Sequence, residues 1–170
     1  MESIVIRPFE DTDLPGAAAA LTEVHATDGY PVEGVALPEA WLRSDDVLAS
    51  WVAEVERRIV GHVAVMRPHG EDAVCLWAGL SGDDEHRIGV LARLFVVREA
   101  RQRALGERLV RTAMNYALSH HRRLVLDVMV KDTAAIRLYE RLGWTRTGRA
   151  EHHYGNGQLI DAICYVAPGT

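Results

Sequence analysis

The chain has 170 residues, enough for one domain that buries about two-thirds of the surface its unfolded chain exposes. Apolar residues make up 48% and charged residues 25% of it, the composition of an ordinary globular protein. A net charge of −5 with interspersed acids and bases argues against nucleic acid as the main partner, and no apolar stretch approaches the roughly 20 residues of a membrane span. We therefore expect a single domain over residues 1–170 with no nucleic-acid and no membrane partner.

The N-terminus and the cysteines both bear on the cellular compartment. The first residues lack a basic region followed by a long apolar one, so no secretory signal is visible. Cys75 and Cys164 lie in apolar contexts without metal-ligand spacing, and we interpret both as buried thiols rather than a disulfide. These observations predict an intracellular, cytoplasmic protein.

Hydrophobic periodicity and turn residues predict an alternation of strands and helices along the chain. In chain order the elements are a strand at 4–6, a helix at 17–25 preceded by capping acids at 11–13, a loop at 26–40, strands at 48–55 and 59–66 joined by a charged turn, a short helix around 74–77, an acidic loop at 83–85, a strand at 89–97, a helix beginning at 105, a strand at 124–130, a helix from 132 to 142, and strands at 144–147 and 159–166 flanking a turn at Gly155, Asn156 and Gly157.

The strands at 89–97 and 124–130 are separated by a helix. Because such a crossover joins strands that run in the same direction, we expect these two to be parallel neighbours. The predicted hairpins make the rest of the sheet antiparallel. The sequence thus predicts a mixed α/β (α+β) fold, with a mostly antiparallel sheet flanked by helices.

The most informative segment is residues 94–106, LFVVREARQRALG. An apolar, β-branched run ends in a basic turn with small residues, and an amphipathic segment follows. This order predicts a strand, a loop rich in free backbone N–H groups, and then the positive end of a helix. Such a turn binds phosphate, and the arginines add positive charge at the same place.

A second segment, residues 132–144 (DTAAIRLYERLGW), predicts a capped helix that ends at a glycine. Together the two segments resemble the motifs of the GCN5-related N-acetyltransferase (GNAT) family. The first reads Arg101-x-x-Ala104-x-Gly106, where the family usually carries Arg/Gln-x-x-Gly-x-Gly/Ala. The second resembles Asn-x-x-Ala-x-x-Leu-Tyr-x-x-x-Gly-Phe, with Asp132 in place of asparagine and Trp144 in place of phenylalanine. The resemblance covers residues 89–150 and implies the acyl-CoA N-acyltransferase fold.

The resemblance also implies a binding site for acetyl-CoA, in which a strand edge holds the pantetheine arm and acetyl carbonyl and the turn holds the pyrophosphate. The residues so implied are Leu94, Phe95, Val96, Arg101, Gln102, Arg103, Ala104, Leu105, Gly106, Glu107 and Asp132. Alanine can replace the family's glycine at 104 if the backbone there is α-like rather than left-handed. An ionised Asp132 cannot donate as an asparagine amide does, and a plain helix N-cap is the alternative.

Two catalytic residues follow from the same resemblance. Tyr139 matches the general acid that protonates the leaving thiolate, although periodicity alone favours a buried structural tyrosine. Asp127 matches an acidic position that some members use as the base, while others use a chain of waters. Its alternative is a residue at the sheet edge that caps a backbone amide. Glu54, His62 and His86 are weaker candidates for the base, and His62 can also be read as a hydrogen-bonded interior histidine.

Histidine pairs and one tryptophan offer further sites. The pairs at 120–121 and 152–153 are adjacent residues that do not share a face of a helix or strand, so we predict no metal. Trp41 lies in the region that forms the acceptor wall in relatives, where it could contact an amine cation, although a core role is the stronger interpretation.

The resemblance implies an acetyl-CoA-dependent N-acetyltransferase acting on a primary amine, such as an amino acid, a polyamine or an amine-bearing antibiotic, by direct attack in a ternary complex. The alternatives are acetylation of a protein N-terminus or lysine, and a non-catalytic acyl-CoA-binding module. We expect acceptor specificity to reside in residues 26–45, 67–88 and 150–158. Exposed hairpins would allow a homodimer.

Overall fold

The computed structural model describes residues 3–31, 34, 36–154 and 157–169. It forms two compact units, of which the first comprises Met1–Met66 with Ala92–Ala113 and the second Arg67–Leu91 with Met114–Thr170. One boundary between the units, at residues 91 and 92, falls inside the strand Ile88–Val96, and another, at residues 113 and 114, falls inside the helix Leu105–Ser119. The single domain over residues 1–170 stays a prediction.

Seven strands and five helices occur in the described ranges, together with three short 3-10 helices. The strands are β1 (Ile4–Pro8), β2 (Val47–Val55), β3 (Arg58–Met66), β4 (Ile88–Val96), β5 (Arg123–Met129), β6 (Thr145–Tyr154) and β7 (Gln158–Val166). The helices are α1 (Leu14–Asp28), α2 (Pro38–Leu42), α3 (Asp72–Ser81), α4 (Leu105–Ser119) and α5 (Thr133–Arg141). The 3-10 helices are Asp11–Asp13, Glu85–Arg87 and Arg98–Arg103.

The first unit is built on a ladder in which β2 pairs antiparallel with β1 and with β3. Glu56 and Arg57, at φ 50° and 68°, form the two-residue turn between β2 and β3. Positive φ at both positions matches the right-handed twist of a hairpin, so the predicted charged turn is confirmed. Helix α1 buries a face of small and apolar residues that includes Ala17 and Leu21, both fully inaccessible to solvent.

The second unit contains the parallel pairing. β5 runs parallel to the first part of β4, from Ile88↔Arg123 to Val90↔Val125, as the helical crossover predicts. β7 pairs antiparallel with β5 and with β6, and helix α3 packs on β5, β6 and β7. Of the five strand pairings described, four are antiparallel, which confirms the predicted mixed, mostly antiparallel fold flanked by helices.

Several expectations need correction. Helix α1 begins at Leu14, directly after the predicted capping acids, and ends at Asp28, three residues beyond the predicted end. Asp13 occupies its N-cap position, but the carboxylate makes no capping bond to α1; it binds Arg7 at 2.7 and 2.8 Å and accepts the Glu10 N–H at 2.8 Å. Cys75 was expected to be buried but is exposed on α3, whereas Cys164 is buried and both are free thiols. Of the predicted turn at 155–157, residues 155 and 156 lie outside the described ranges. None of the helices in the described part of the chain has the length and apolar character that a membrane crossing requires.

Candidate functional site

The predicted coenzyme strand is the end of β4, and it contains a break in its extended backbone. Arg93 has φ 57°, a left-handed conformation that is uncommon for a residue other than glycine. We call this left-handed residue the β4 bulge. Beyond it Leu94 is half-buried, while Phe95 and Val96 are buried. The strand then ends where the Val97 N–H donates to the Val60 carbonyl of β3 at 2.8 Å.

The turn after β4 is a 3-10 helix over Arg98–Arg103, and Ala104 links it to α4. The Arg108 N–H donates to the Ala104 carbonyl at 3.1 Å, the first bond of the α4 ladder. The amides of Leu105, Gly106 and Glu107 therefore precede this first bond and lie at the positive end of the helix. Three such N–H groups at the positive end of a helix suit an anion.

Ala104 itself does not meet the condition under which alanine replaces glycine without cost. Its backbone is left-handed, with φ 55° and ψ 27°. The side chain is exposed, so no packing compensates for the strained backbone. The family's glycine thus has a conformational reason here, and alanine occupies the position at an energetic cost.

The side chain of Arg101 is bound within the protein. Its Nε donates to the Val96 carbonyl at 2.9 Å, and its Nη2 forms an ion pair with Asp28 of α1. Arg98 also approaches Asp28, at 3.5 Å. Arg101 therefore connects the end of β4 to α1, and Asp28 offsets part of the positive charge that the sequence places at this turn. Glu107, on the first turn of α4, lies 3.7 Å from Arg111.

Tyr139, the predicted general acid, lies on α5 in the second unit. Its side chain is 5% exposed and packs on the rings of Trp144 and Tyr165, with centroid distances of 5.4 and 6.4 Å. Within the described residues its hydroxyl makes no hydrogen bond. Burial raises the pKa of Tyr139 well above its usual value, and the nearby Asp132 carboxylate raises it further. The phenol is therefore protonated near neutral pH, the state that a general acid requires.

Asp132 occupies the N-cap position of α5, where its carbonyl accepts the Ile136 N–H at 3.0 Å. Its side chain makes no capping hydrogen bond. The N-cap alternative is thus confirmed for the position of the residue and not for its carboxylate. A role in coenzyme binding stays a prediction.

Asp127 on β5 does cap a backbone amide. Its Oδ1 accepts the Ala73 N–H in the first turn of α3 at 2.9 Å and the Cys164 thiol at 3.3 Å. β5 lies between β4 and β7, but its described pairing with β4 ends at Val125, so Asp127 has its described strand partner, Cys164, on β7 alone. Solvent reaches the carboxylate although protein atoms surround it, and this desolvation raises the pKa of Asp127. Oδ2 accepts no hydrogen bond from the described residues, so it is the oxygen that can take a proton.

The weaker candidates for the base are engaged elsewhere or poorly placed. Glu54 forms an ion pair with Arg7 at 3.1 Å, and His86 lies exposed in a 3-10 helix. His62 is fully buried and bonded to a backbone carbonyl, as the interior reading predicts. No three metal-ligating side chains come together in the described ranges.

Trp41 already holds a cation. The guanidinium of Arg93 lies 5.0 Å from its ring centroid, so at least one face of the ring contacts a cation of the protein itself. The sequence singled out Trp41 for this interaction but not Arg93. Nor did it indicate Asp28 as the partner of Arg101, because these residues lie 73 positions apart.

The coenzyme segment and the predicted catalytic residues fall in different units. Residues 94–96 and 101–107 belong to the first unit, where Arg101 ties the turn to the end of the strand. Asp127, Asp132 and Tyr139 belong to the second, where Asp132 is the charge that acts on Tyr139.

Several known proteins are similar to this chain in sequence or in structure. N-acetylaspartate synthetase of Xenopus tropicalis is 35% identical over 103 residues, which are 61% of this chain and 33% of that protein. The structure of a GNAT-family acetyltransferase from Streptococcus pneumoniae has a TM-score of 0.72 at 23% identity, covering 96% of this chain and 98% of that one. Arabidopsis thaliana NAA60 in complex with acetyl-CoA also has a TM-score of 0.72, at 22% identity, covering 96% and 97%. The two structures show the same fold.

The curated relatives are longer than this chain, which spans about a third to less than half of their length. Residues 17–144 match the acetyltransferase (GNAT) family, and this range contains both the 94–106 and the 132–144 motif. The match covers most of the chain and supports the acyltransferase class expected from the sequence. The chain belongs to the acetyltransferase (GNAT) family.

Proposed function

We propose that the chain is an acetyl-CoA-dependent N-acetyltransferase that transfers the acetyl group to the primary amine of a small molecule. The family match over residues 17–144 carries this proposal, because the matched range includes both motifs from which the activity was predicted. The relative of known fold from Arabidopsis thaliana was solved with acetyl-CoA, which supports acetyl-CoA as the cosubstrate.

The coenzyme segment suits its proposed ligand. The amides of Leu105, Gly106 and Glu107 precede the first bond of the α4 ladder and offer donors to a pyrophosphate at the positive end of the helix. The Leu105 side chain is fully buried, so only its backbone contributes. On the strand, Arg101 already occupies one lone pair of the Val96 carbonyl, and the remaining backbone groups of residues 94–96 are those proposed to hold the pantetheine arm and the acetyl carbonyl.

The proposed reaction is direct attack of the amine on the thioester carbonyl. Backbone N–H groups of β4 stabilise the negative charge that develops on the carbonyl oxygen. Tyr139 donates its phenolic proton to the sulfur as the carbon–sulfur bond breaks and the carbon–nitrogen bond forms. Asp127 accepts the proton that the amine loses, at Oδ2, and a chain of waters is the alternative base.

The proposed acceptor is a small amine. A small amine is supported by the relative named N-acetylaspartate synthetase, since that name specifies a small amino acid as acceptor. Acetylation of a protein N-terminus or lysine is the other enzymatic alternative. A cytoplasmic location and a homodimer remain predictions of the sequence.

The test is an acceptor screen by mass spectrometry. The protein is incubated with acetyl-CoA and a panel of amino acids, polyamines, amine-bearing antibiotics and peptides with a free N-terminus or lysine. We expect one class of small amine to gain an acetyl group in step with release of the coenzyme thiol. Acetylated peptides alone would assign a protein acceptor. Tight binding of acetyl-CoA without any acetylated product would instead identify a non-catalytic acyl-CoA-binding module.

A further inference from the structure

The coenzyme strand contains one residue whose backbone needs external support. Arg93 is left-handed within β4, directly before the residues proposed to hold the acetyl and pantetheine groups. A bulge of this kind turns the following backbone groups out of the regular ladder direction. It persists only where surrounding contacts hold it, because a left-handed conformation is unfavourable for arginine.

His62 of β3 supplies such a contact. Its Nδ1 lies 2.8 Å from the Arg93 carbonyl, its ring stacks on Phe95 with a centroid distance of 5.4 Å and an angle of 14°, and Phe9 meets it edge-on. The side chain is completely inaccessible to solvent. A carbonyl can only accept, so Nδ1 carries the proton, and in the neutral ring Nε2 keeps its lone pair.

The residues around His62 hold β3 close to the same strand. A Cβ added at Gly61 would lie 3.1 Å from both the Phe95 carbonyl oxygen and the Leu109 side chain, closer than ordinary van der Waals contact, so a side chain here would push these neighbours back by a few tenths of an ångström. One residue earlier, the Val60 carbonyl accepts the Val97 N–H at 2.8 Å. Three consecutive residues of β3 thus lie against this strand: His62 at Arg93, Gly61 at Phe95 and Val60 at Val97. Of these three, His62 is the residue that binds the bulge through its side chain.

We propose that His62 is a positioning residue, whose hydrogen bond to the Arg93 carbonyl fixes the bulge and thereby the direction in which residues 94–96 present their backbone to the acetyl thioester. This inference rests on the proposed acetyl-CoA function. It differs from a role as base, because a base would act through Nε2, which makes no hydrogen bond in the described part of the chain. A variant with a polar atom near the position of Nδ1 should therefore bind acetyl-CoA differently from one with a polar atom near the position of Nε2.

Three substitutions separate these roles. His62→Asn places an amide donor near the position of Nδ1, His62→Gln extends its polar end toward the position of Nε2, and His62→Leu offers neither. Phe9→Leu is the matched control, because it changes packing on the His62 ring without removing a bond to β4. Calorimetric titrations with acetyl-CoA and with free CoA provide the readout, since only acetyl-CoA carries the carbonyl that the bulged strand is proposed to bind.

We expect His62→Leu to raise the Kd for acetyl-CoA about tenfold, as loss of one hydrogen-bonded contact does, and the Kd for CoA less than about threefold. His62→Asn should restore most of the difference, and Phe9→Leu should change both constants equally. Equal effects of His62→Leu on the two ligands would overturn the inference while leaving the proposed function intact. Rescue by His62→Gln and not by His62→Asn would assign the role to Nε2 and also overturn it. If the wild-type chain binds neither ligand, the proposed function fails and this inference with it. Should His62→Leu not fold, the comparison of the asparagine and glutamine variants decides the same question.

Discussion

Replacing Ala104 by glycine should stabilise the protein. The left-handed backbone of Ala104 costs an L-residue about 1–2 kcal/mol, and glycine removes that cost. Glycine also gives the unfolded chain more conformational freedom, which destabilises the folded protein by about 0.4–1 kcal/mol. The side chain is exposed, so its loss removes little packing. The net expectation is a gain of about 0–1.6 kcal/mol, centred near about 0.8 kcal/mol, which is about 2–3 °C in Tm for a chain of this length.

Thermal and urea unfolding without ligand measure this difference. Ala19→Gly is the matched control, because Ala19 is also exposed but lies inside α1. There the same substitution should cost about 0.5–1 kcal/mol, so the two variants should shift stability in opposite directions. A loss of stability in Ala104→Gly equal to that in Ala19→Gly would refute the conformational argument.

The same variant tests the interpretation of the turn as a phosphate site. Glycine at 104 leaves the amides of residues 105–107 in place, so acetyl-CoA should bind at least as tightly as to the wild type. The comparison is a calorimetric titration of both proteins. A clear loss of affinity would show that the loop does not hold the coenzyme in the proposed way.

Three further predictions concern other residues. Asp127→Ala should cost about 1 kcal/mol of stability, because the first turn of α3 loses its acceptor, whereas Asp127→Asn keeps an acceptor oxygen and should cost less. If Asp127 is the base, the two variants should nevertheless lose acetylation rate alike, and an unchanged rate in Asp127→Asn would favour the water chain. Burial lowers the pKa of His62 to about 4, so the unfolded chain binds this proton below about pH 6.5 while the folded one does not until about pH 4. Urea unfolding should therefore show that the free energy of unfolding falls by about 3 kcal/mol between pH 6.5 and pH 4, and by less in His62→Asn. If the free energy of unfolding falls equally with pH in both proteins, His62 does not have the lowered pKa. Arg101→Ala should weaken acetyl-CoA binding about threefold to tenfold, because the bonds that join the turn to the Val96 carbonyl of β4 and to Asp28 of α1 are lost. Arg98 donates to the Thr27 carbonyl at 3.2 Å and lies 3.5 Å from Asp28, both on α1, so Arg98→Ala leaves the bond to β4 in place and should change binding less; equal effects would argue against Arg101 as the support.

Local patterns sufficed for the elements that carry the two motifs. The strand, turn and helix around residues 94–106 each follow from short-range periodicity and composition, and the same holds for α5 with Gly143 just beyond its end. The parallel pairing of β4 and β5 follows from the helix between them. These features depend on neighbours in sequence, which a single sequence contains.

Contacts between distant segments were not predictable in this way. The basic turn after β4 predicts Arg101 as a phosphate ligand, yet its side chain binds Asp28 and the Val96 carbonyl. Asp127 reads as a lone acid in a strand, and its contact with Ala73 depends on where α3 packs. The left-handed backbone of Ala104 runs against the intrinsic preference of alanine, so only the surrounding chain can impose it.

In the proposed acetyl transfer, Tyr139 is the proton donor for the departing thiolate. The most direct test is the single-turnover rate of thiol release from acetyl-CoA with the best amine of the screen, measured for the wild type, Tyr139→Phe and the control Tyr116→Phe on α4. We predict that Tyr139→Phe lowers this rate by about a hundredfold or more with little change in the Kd for acetyl-CoA, while Tyr116→Phe behaves as the wild type. An unchanged rate in Tyr139→Phe would rule out Tyr139 as the proton donor.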